Sequence, residues 1–197
     1  MTSLMELLRE EHRDIKSLLL VLEDELKVFD RQERPDYEII QAIVSYFQDY
    51  PDCCHHPKED MVLEKLKVRD PVAAESVGDL VAEHQDEADR LRQVAQIVRN
   101  ILLDRDVSRQ TFDDVMREFI EHQREHLAME ERLLFPAAVK ALLPEDWKEI
   151  DLRWSDKKDA LFNVGIEERC HSLRDRVLRW ERENRENQIR RDASGRS

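Results

Sequence analysis

The chemistry of this chain concentrates in the run His122-Gln123-Arg124-Glu125-His126-Leu127-Ala128-Met129-Glu130. His122, His126 and Glu130 stand at i, i+4 and i+8, so at about 100° per residue they fan over roughly 80° of a helix and share one face. That face continues through Phe112, Val115 and Phe119 on one side and Leu133, Ala137 and Ala141 on the other, so it points into a core. Burying imidazoles and a carboxylate is costly unless each is hydrogen-bonded, paired or bound to a metal. Three such groups in one apolar stripe favour a metal over a lone packed histidine.

Other segments repeat the arrangement. In Cys53-Cys54-His55-His56-Pro57-Lys58-Glu59-Asp60, His55 and Glu59 form an i, i+4 pair whose face extends to Val62 and Leu66. His56 and Asp60 form the same spacing about 100° away, so one pair binds and its neighbour flanks it. His12 takes a core slot in the stripe Leu4, Leu8, Ile15, Leu19, Leu22, Leu26, and His84 does so among Val77, Leu80, Ala88, Leu91, Ala95, Val98 and Leu102.

The elements that must carry these groups are long helices. Three glycines and six prolines among 197 residues, 39% of them charged, fit helices rather than a sheet. Ser3 and Glu6 suggest a capping box for the first helix, and Asp36 starts the second. Pro51 and Pro57 are expected to interrupt or kink that helix, since proline donates no bond and clashes with the preceding turn. Asp70-Pro71 is an N-cap and N1 pair for a third helix running to about Leu103. Ser108 caps a fourth, which Pro144 stops after Leu142. The expected fold is all-α, an up-down-up-down four-helix bundle over 1–143 with one inward histidine on each helix. A helical C-terminal extension follows over 144–197, with Trp147, Ile150 and Trp154 on one short helix, Leu173, Val177 and Trp180 on another, and a polar tail from Asn184 that frays. It covers the bundle or a neighbouring subunit, which makes it a candidate surface for homo-oligomers. His171 reads as a surface or packing histidine.

A formal net charge of −13 argues against a nucleic-acid partner, although eight arginines against five acids from Arg174 onward make that end basic. Cys53, Cys54 and Cys170 form no CxxC pair, which suggests a reducing compartment. With no cationic-then-apolar leader at Met1 to Glu11 and no run of some 18 apolar residues, a cytoplasmic protein without a membrane partner is expected. The adjacent Cys53 and Cys54 read either as small buried residues or as redox-sensing thiols beside the metal helix.

The inward set is therefore His12, His55, Glu59, His84, His126 and Glu130, with His56 and His122 in addition. Two HxxxE pairs plus single histidines from two further helices suit a dinuclear centre in which each glutamate bridges. The mixed nitrogen and oxygen donors favour iron, or manganese, over calcium, and the absence of cysteine from the face disfavours structural zinc. His122-Gln123-Arg124-Glu125-His126 also matches the HxxEH zinc-hydrolase pattern with Glu125 as base, which leaves the other helices' histidines without a role. The Glu-x-x-His motif of ferritin-like bundles occurs only at Glu168 to His171, outside the bundle.

Glu11-His12, His55-His56-Pro57-Lys58-Glu59-Asp60, Glu83-His84, and Glu125-His126-Leu127-Ala128-Met129-Glu130-Glu131 followed by Leu134-Phe135-Pro136 resemble the hemerythrin-like (HHE cation-binding) family over residues 4–142. The resemblance implies a four-helix bundle around two Fe ions joined by two carboxylates and an oxo or hydroxo group. It makes His12, His55, His84 and His126 terminal ligands and Glu59 and Glu130 the bridges. Better-known members of the family carry five histidines, so His56 or His122 supplies the fifth or the place is left to solvent, with His122 alternatively donating to a ligand or to bound oxygen species. An open position implies a small ligand, O2, NO or peroxide, that is bound, sensed or reduced. The other reading is an iron or oxygen sensor without turnover; iron storage would need many irons per chain.

Overall fold

The computed structural model describes residues 4–159 and 164–194, so the expected capping box at Ser3 lies outside the described residues. Every regular element among them is helical: α1 (Leu4–Asp30), α2 (Tyr37–Tyr50), α3 (His56–Arg69), α4 (Pro71–Val77), α5 (Leu80–Leu102), α6 (Arg109–Met129), α7 (Phe135–Ala141), α8 (Pro144–Asp159) and α9 (Val164–Ser194). None is long and apolar enough to cross a membrane.

Local chemistry explains the ends. Asp36 accepts from the N–H groups of Glu38 and Ile39, Asp70 from Ala73, Asp79 from Ala82 and Ser108 from Thr111. Each satisfies a donor that the first helical turn leaves unpaired. The stripe of α1 is buried as expected from Leu4 to Leu26, His12 included.

Pro51 interrupts its α-helix as expected: α2 passes into α3 through a π turn, Pro51–His55, closed by the His56 N–H on the Pro51 carbonyl. The wider turn accommodates the proline ring and inserts one residue, shifting the phase of everything beyond it. Two other expectations about helix continuity needed correction. The fourth helix holds a second π turn, Glu130–Leu134, closed from Phe135 onto Glu130. Its inward face consequently moves by one residue, so that Leu134 and Ala138 are buried where Leu133, Ala137 and Ala141 are only half-buried. The third helix divides at Gly78, whose φ of 86° lies in the left-handed region that glycine enters without a Cβ penalty; Asp79 then restarts it as α5.

The core is lined by α1, α2, α5 and α6, with α1 on α6, α2 on α5 and α5 on α6. The C-terminal extension packs on this chain's own body: α9 lies on α1 and α2, and α8 on α3. Ile150 and Trp154 of α8 and Cys170 and Val177 of α9 are buried. Arg69 donates to both oxygens of Asp146 at 2.7 and 2.9 Å, and Arg174 pairs with Asp14.

Candidate metal centre

α1 presents His12, the first π turn delivers His55 with His56 and Glu59 just beyond it, α5 presents His84, and the junction of α6 with the second π turn carries His126 and Glu130. These side chains converge as two groups. His12, His55, Glu59 and Glu130 form one; His56, Glu59, His84 and His126 form the other, with ligand atoms within 4.8 Å of one another in each group.

The two glutamates face both ways. Glu59 Oε1 lies 3.4 Å from His12 Nε2 and 3.3 Å from His55 Nε2, while its Oε2 lies 3.7 Å from His84 Nε2. Glu130 Oε2 lies 3.4 Å from His12 Nε2, and its Oε1 3.2 Å from His126 Nε2. Both carboxylates are wholly buried. His55 Nε2, His84 Nε2, His126 Nε2, Glu59 Oε2 and both Glu130 oxygens nevertheless have no hydrogen-bond partner. A buried polar atom left unpaired costs about 1–3 kcal/mol, and six of them aimed at one place fit cation coordination. The donor set is nitrogen and oxygen without sulfur, as borderline divalent and trivalent metals prefer.

The outward ring nitrogens of His12, His55 and His56 are held as well. His55 Nδ1 donates to Glu11 Oε2 at 2.8 Å; Glu11 Oε1 accepts from the Tyr50 hydroxyl at 2.8 Å and from Lys58. Lys58 is wholly buried, its ammonium 4.5 Å from the centre of the Trp154 ring. His12 Nδ1 donates to Glu131 at 3.1 Å, which Lys16 grips at 2.6 Å. His56 Nδ1 donates to Asp52 at 3.3 Å. These contacts set the tautomer in which Nε2 of His12, His55 and His56 is free of its proton.

The family model of the Hemerythrin HHE cation binding domain matches residues 3–138. The chain belongs to that family. Every residue of both hemerythrin groups falls inside the match, while α8 and α9 lie beyond it. No curated protein and no solved structure matches the chain.

Of the residues singled out in the sequence, His12, His55, Glu59, His84, His126 and Glu130 come together in the two groups, and His56 lies with them. His122 joins neither group, although its Nε2 is buried without a partner. It sits four residues before His126, about 6 Å along the helix axis. Glu125 is exposed, and the HxxEH reading gains no support from the geometry. His171 is half-buried, its Nε2 3.5 Å from the Tyr50 hydroxyl.

Sequence reasoning missed Glu11, Lys58 and Glu87 as buried polar groups. Glu87 Oε2 lies 3.2 Å from His56 Nε2 and its Oε1, unpartnered, 3.7 Å from His126 Nε2. Both glutamates left a signal: Glu11 stands in the apolar series Leu8, Ile15, Leu18, and Glu87 in the series Leu80, Leu91, Val94, Val98 at helical spacing. Lys58 left none. A cavity of about 20 Å3, room for one water, opens beside His56, His84, Glu87 and Gln123.

Electrostatics follow the packing. Burial acts to lower the pKa of His12, but the Glu130 and Glu59 carboxylates outweigh it and hold the pKa at about 10. His56, set against Asp52 and Glu87, is likewise raised to about 10, and His126, against Glu130, to about 9. Burial would raise Glu11, but His55 and Lys58 hold it at about 2. Raised histidines bind more protons folded than unfolded between pH 6.5 and 10. Their contribution to the stability of the ion-free protein is therefore full below about pH 6.5 and is lost as pH climbs through 9 to 10. Melting temperatures of chelator-treated protein across that window are expected to decline, and a flat or rising profile would contradict the assignment.

Proposed function

We propose that this hemerythrin-family protein holds a dinuclear iron centre and binds or reduces a small ligand, O2, NO or peroxide, at the ion nearer His12 and His55. The observation that carries the reading is the division of Glu59 and Glu130, each with one oxygen toward either histidine group. In this reading α1, α2 with α3, α4 with α5, and α6 with α7 are the staves of an up-down-up-down four-helix bundle, and each stave contributes at least one ligand.

The groups are unequal. Three histidines, His56, His84 and His126, with Glu87 alongside, surround one position, whereas His12 and His55 alone flank the other. The second position has fewer protein donors, and the proposal places the exchangeable ligand there. Iron bound in the site would supply the electrons for ligand binding or reduction. The chain's own part is to keep Nε2 of His12 and His55 free for coordination by engaging Nδ1 with Glu131 and Glu11. The Phe135 ring packs on His12 at 4.8 Å and limits water at that edge.

Metal analysis of the iron-loaded protein is expected to return two irons per chain, with near-ultraviolet charge-transfer bands in the oxidised form that change when O2, NO or H2O2 meets the reduced form. One iron or none, or spectra indifferent to all three, would overturn the proposal. A sensor without turnover is the second reading, favoured by the contact of His171 in α9 with Tyr50, which links the extension to Glu11. Spectral change with every equivalent of oxidant bound and none consumed would select it.

A further inference from the structure

Among the groups the proposed function leaves unused, Cys53 and Cys54 stand out. Both are free thiols, Cys53 half-buried and Cys54 buried. Their sulfurs lie 2.8 Å apart, longer than the ~2.05 Å of a disulfide yet a close approach for two unbonded thiols. They occupy the third and fourth residues of the π turn whose last residue is His55. The remaining cysteine, Cys170 of α9, is buried.

We infer that Cys53 and Cys54 are a vicinal dithiol that a hydroperoxide oxidises to a disulfide, and that closing this bond releases metal by moving His55. In the first step the Cys53 sulfur attacks one peroxide oxygen. The O–O bond breaks, Cys53 becomes a sulfenic acid, and the other oxygen leaves as water or an alcohol carrying the thiol proton. In the second step the Cys54 sulfur attacks the Cys53 sulfur, the S–O bond breaks, and water leaves with the Cys54 proton. The peroxide is reduced by two electrons and the thiol pair loses two.

Backbone geometry makes the bond a switch rather than a staple. Adjacent Cα atoms lie about 3.8 Å apart across a trans peptide, whereas disulfides usually span about 4.4–6.8 Å between Cα atoms. Closing the bond therefore reshapes the turn, and a strained disulfide is readily reduced again. His55 follows directly, with Nδ1 fixed on Glu11 and Nε2 turned toward Glu59, so a reshaped turn cannot leave both contacts in place. Linkage is reciprocal: an ion held through His55 resists oxidation of the pair by the factor by which oxidation weakens the ion. This coupling rests on His55 as a ligand, as proposed above; the thiol chemistry does not.

The test starts from the full-length reduced protein without metal, treated with one equivalent of H2O2, alkylated and digested. The peptide holding both cysteines is expected to be lighter by two hydrogens and unalkylated at either sulfur, with Cys170 alkylated after unfolding. Titration with Co(II) without oxygen is then expected to show affinity at least tenfold weaker than in the reduced protein, restored by dithiothreitol. Cys54→Ser, which cannot close the bond, is expected to keep its Co(II) affinity after peroxide treatment. A Cys53 to Cys170 link, oxidation of Cys53 to sulfinic acid in the parent protein, or equal Co(II) affinity with and without the disulfide would each overturn the inference. Failure of the reduced protein to bind Co(II) would instead remove the dinuclear reading and the coupling with it, while the peptide mass still decides the thiol chemistry.

Discussion

Glu130→Gln is expected to leave the protein with no more than one metal ion per chain. Both Glu130 oxygens are buried and unpartnered, and they face His12 on one side and His126 on the other. A carboxamide keeps the shape but has one oxygen in place of two and no charge, so it cannot serve both positions. Changing a group that merely supports a ligand already costs about 10–100-fold in metal affinity, and a shared carboxylate should cost more. The loss is expected to exceed 100-fold for the weaker position, read by isothermal titration with Co(II) or by metal content after gel filtration. Glu125→Gln, at an exposed position in the same helix, is the control and should bind as the parent does. Two tightly held ions in the Glu130→Gln protein would show that the carboxylate is not shared.

The second large effect is expected in stability. Lys58 is wholly buried and pairs with Glu11, whose other oxygen holds His55. Lys58→Met fills similar space but leaves Glu11 facing a buried environment with its strongest counter-charge gone. Breaking a buried ion pair from one side costs about 3–5 kcal/mol, which for a chain of this size corresponds to a fall in melting temperature of roughly 10 °C. Adding Glu11→Gln should recover much of the loss, because the orphaned charge is then removed; an additive double variant would show that the two residues do not act as a pair. The same Lys58→Met protein should bind metal more weakly at the His12 and His55 position than at the other, since Glu11 is then left with the Tyr50 hydroxyl alone on the oxygen opposite His55.

His12, His55, His84 and His126 each interrupt an apolar helical stripe, and Glu59 and Glu130 follow two of them at i+4. The all-helical class, the caps at Asp36, Asp70 and Ser108, and the inward placing of those six residues were legible for that reason. Each depends on contacts within a few residues, where spacing alone determines which face a side chain takes. Glu11 and Glu87 were equally well placed in their stripes, but neither follows a histidine at i+4 as Glu59 and Glu130 do, and the apolar series alone is the weaker signal. Lys58 gave no warning, because its environment is built by Glu11 and Trp154 from distant parts of the chain.

By itself, then, the amino-acid order determined that four helical segments turn imidazoles and two carboxylates inward, since helical period and burial cost are local properties. Only the tertiary structure decided that His56 rather than His122 lies in the second group, that two π turns set the register of the clustered side chains, and that α9 reaches Tyr50 beside them. One inserted residue rotates all that follows by about 100°, and whether a turn widens depends on how the neighbouring helices pack. Such a choice belongs to the assembled core, and no stretch of residues carries it alone.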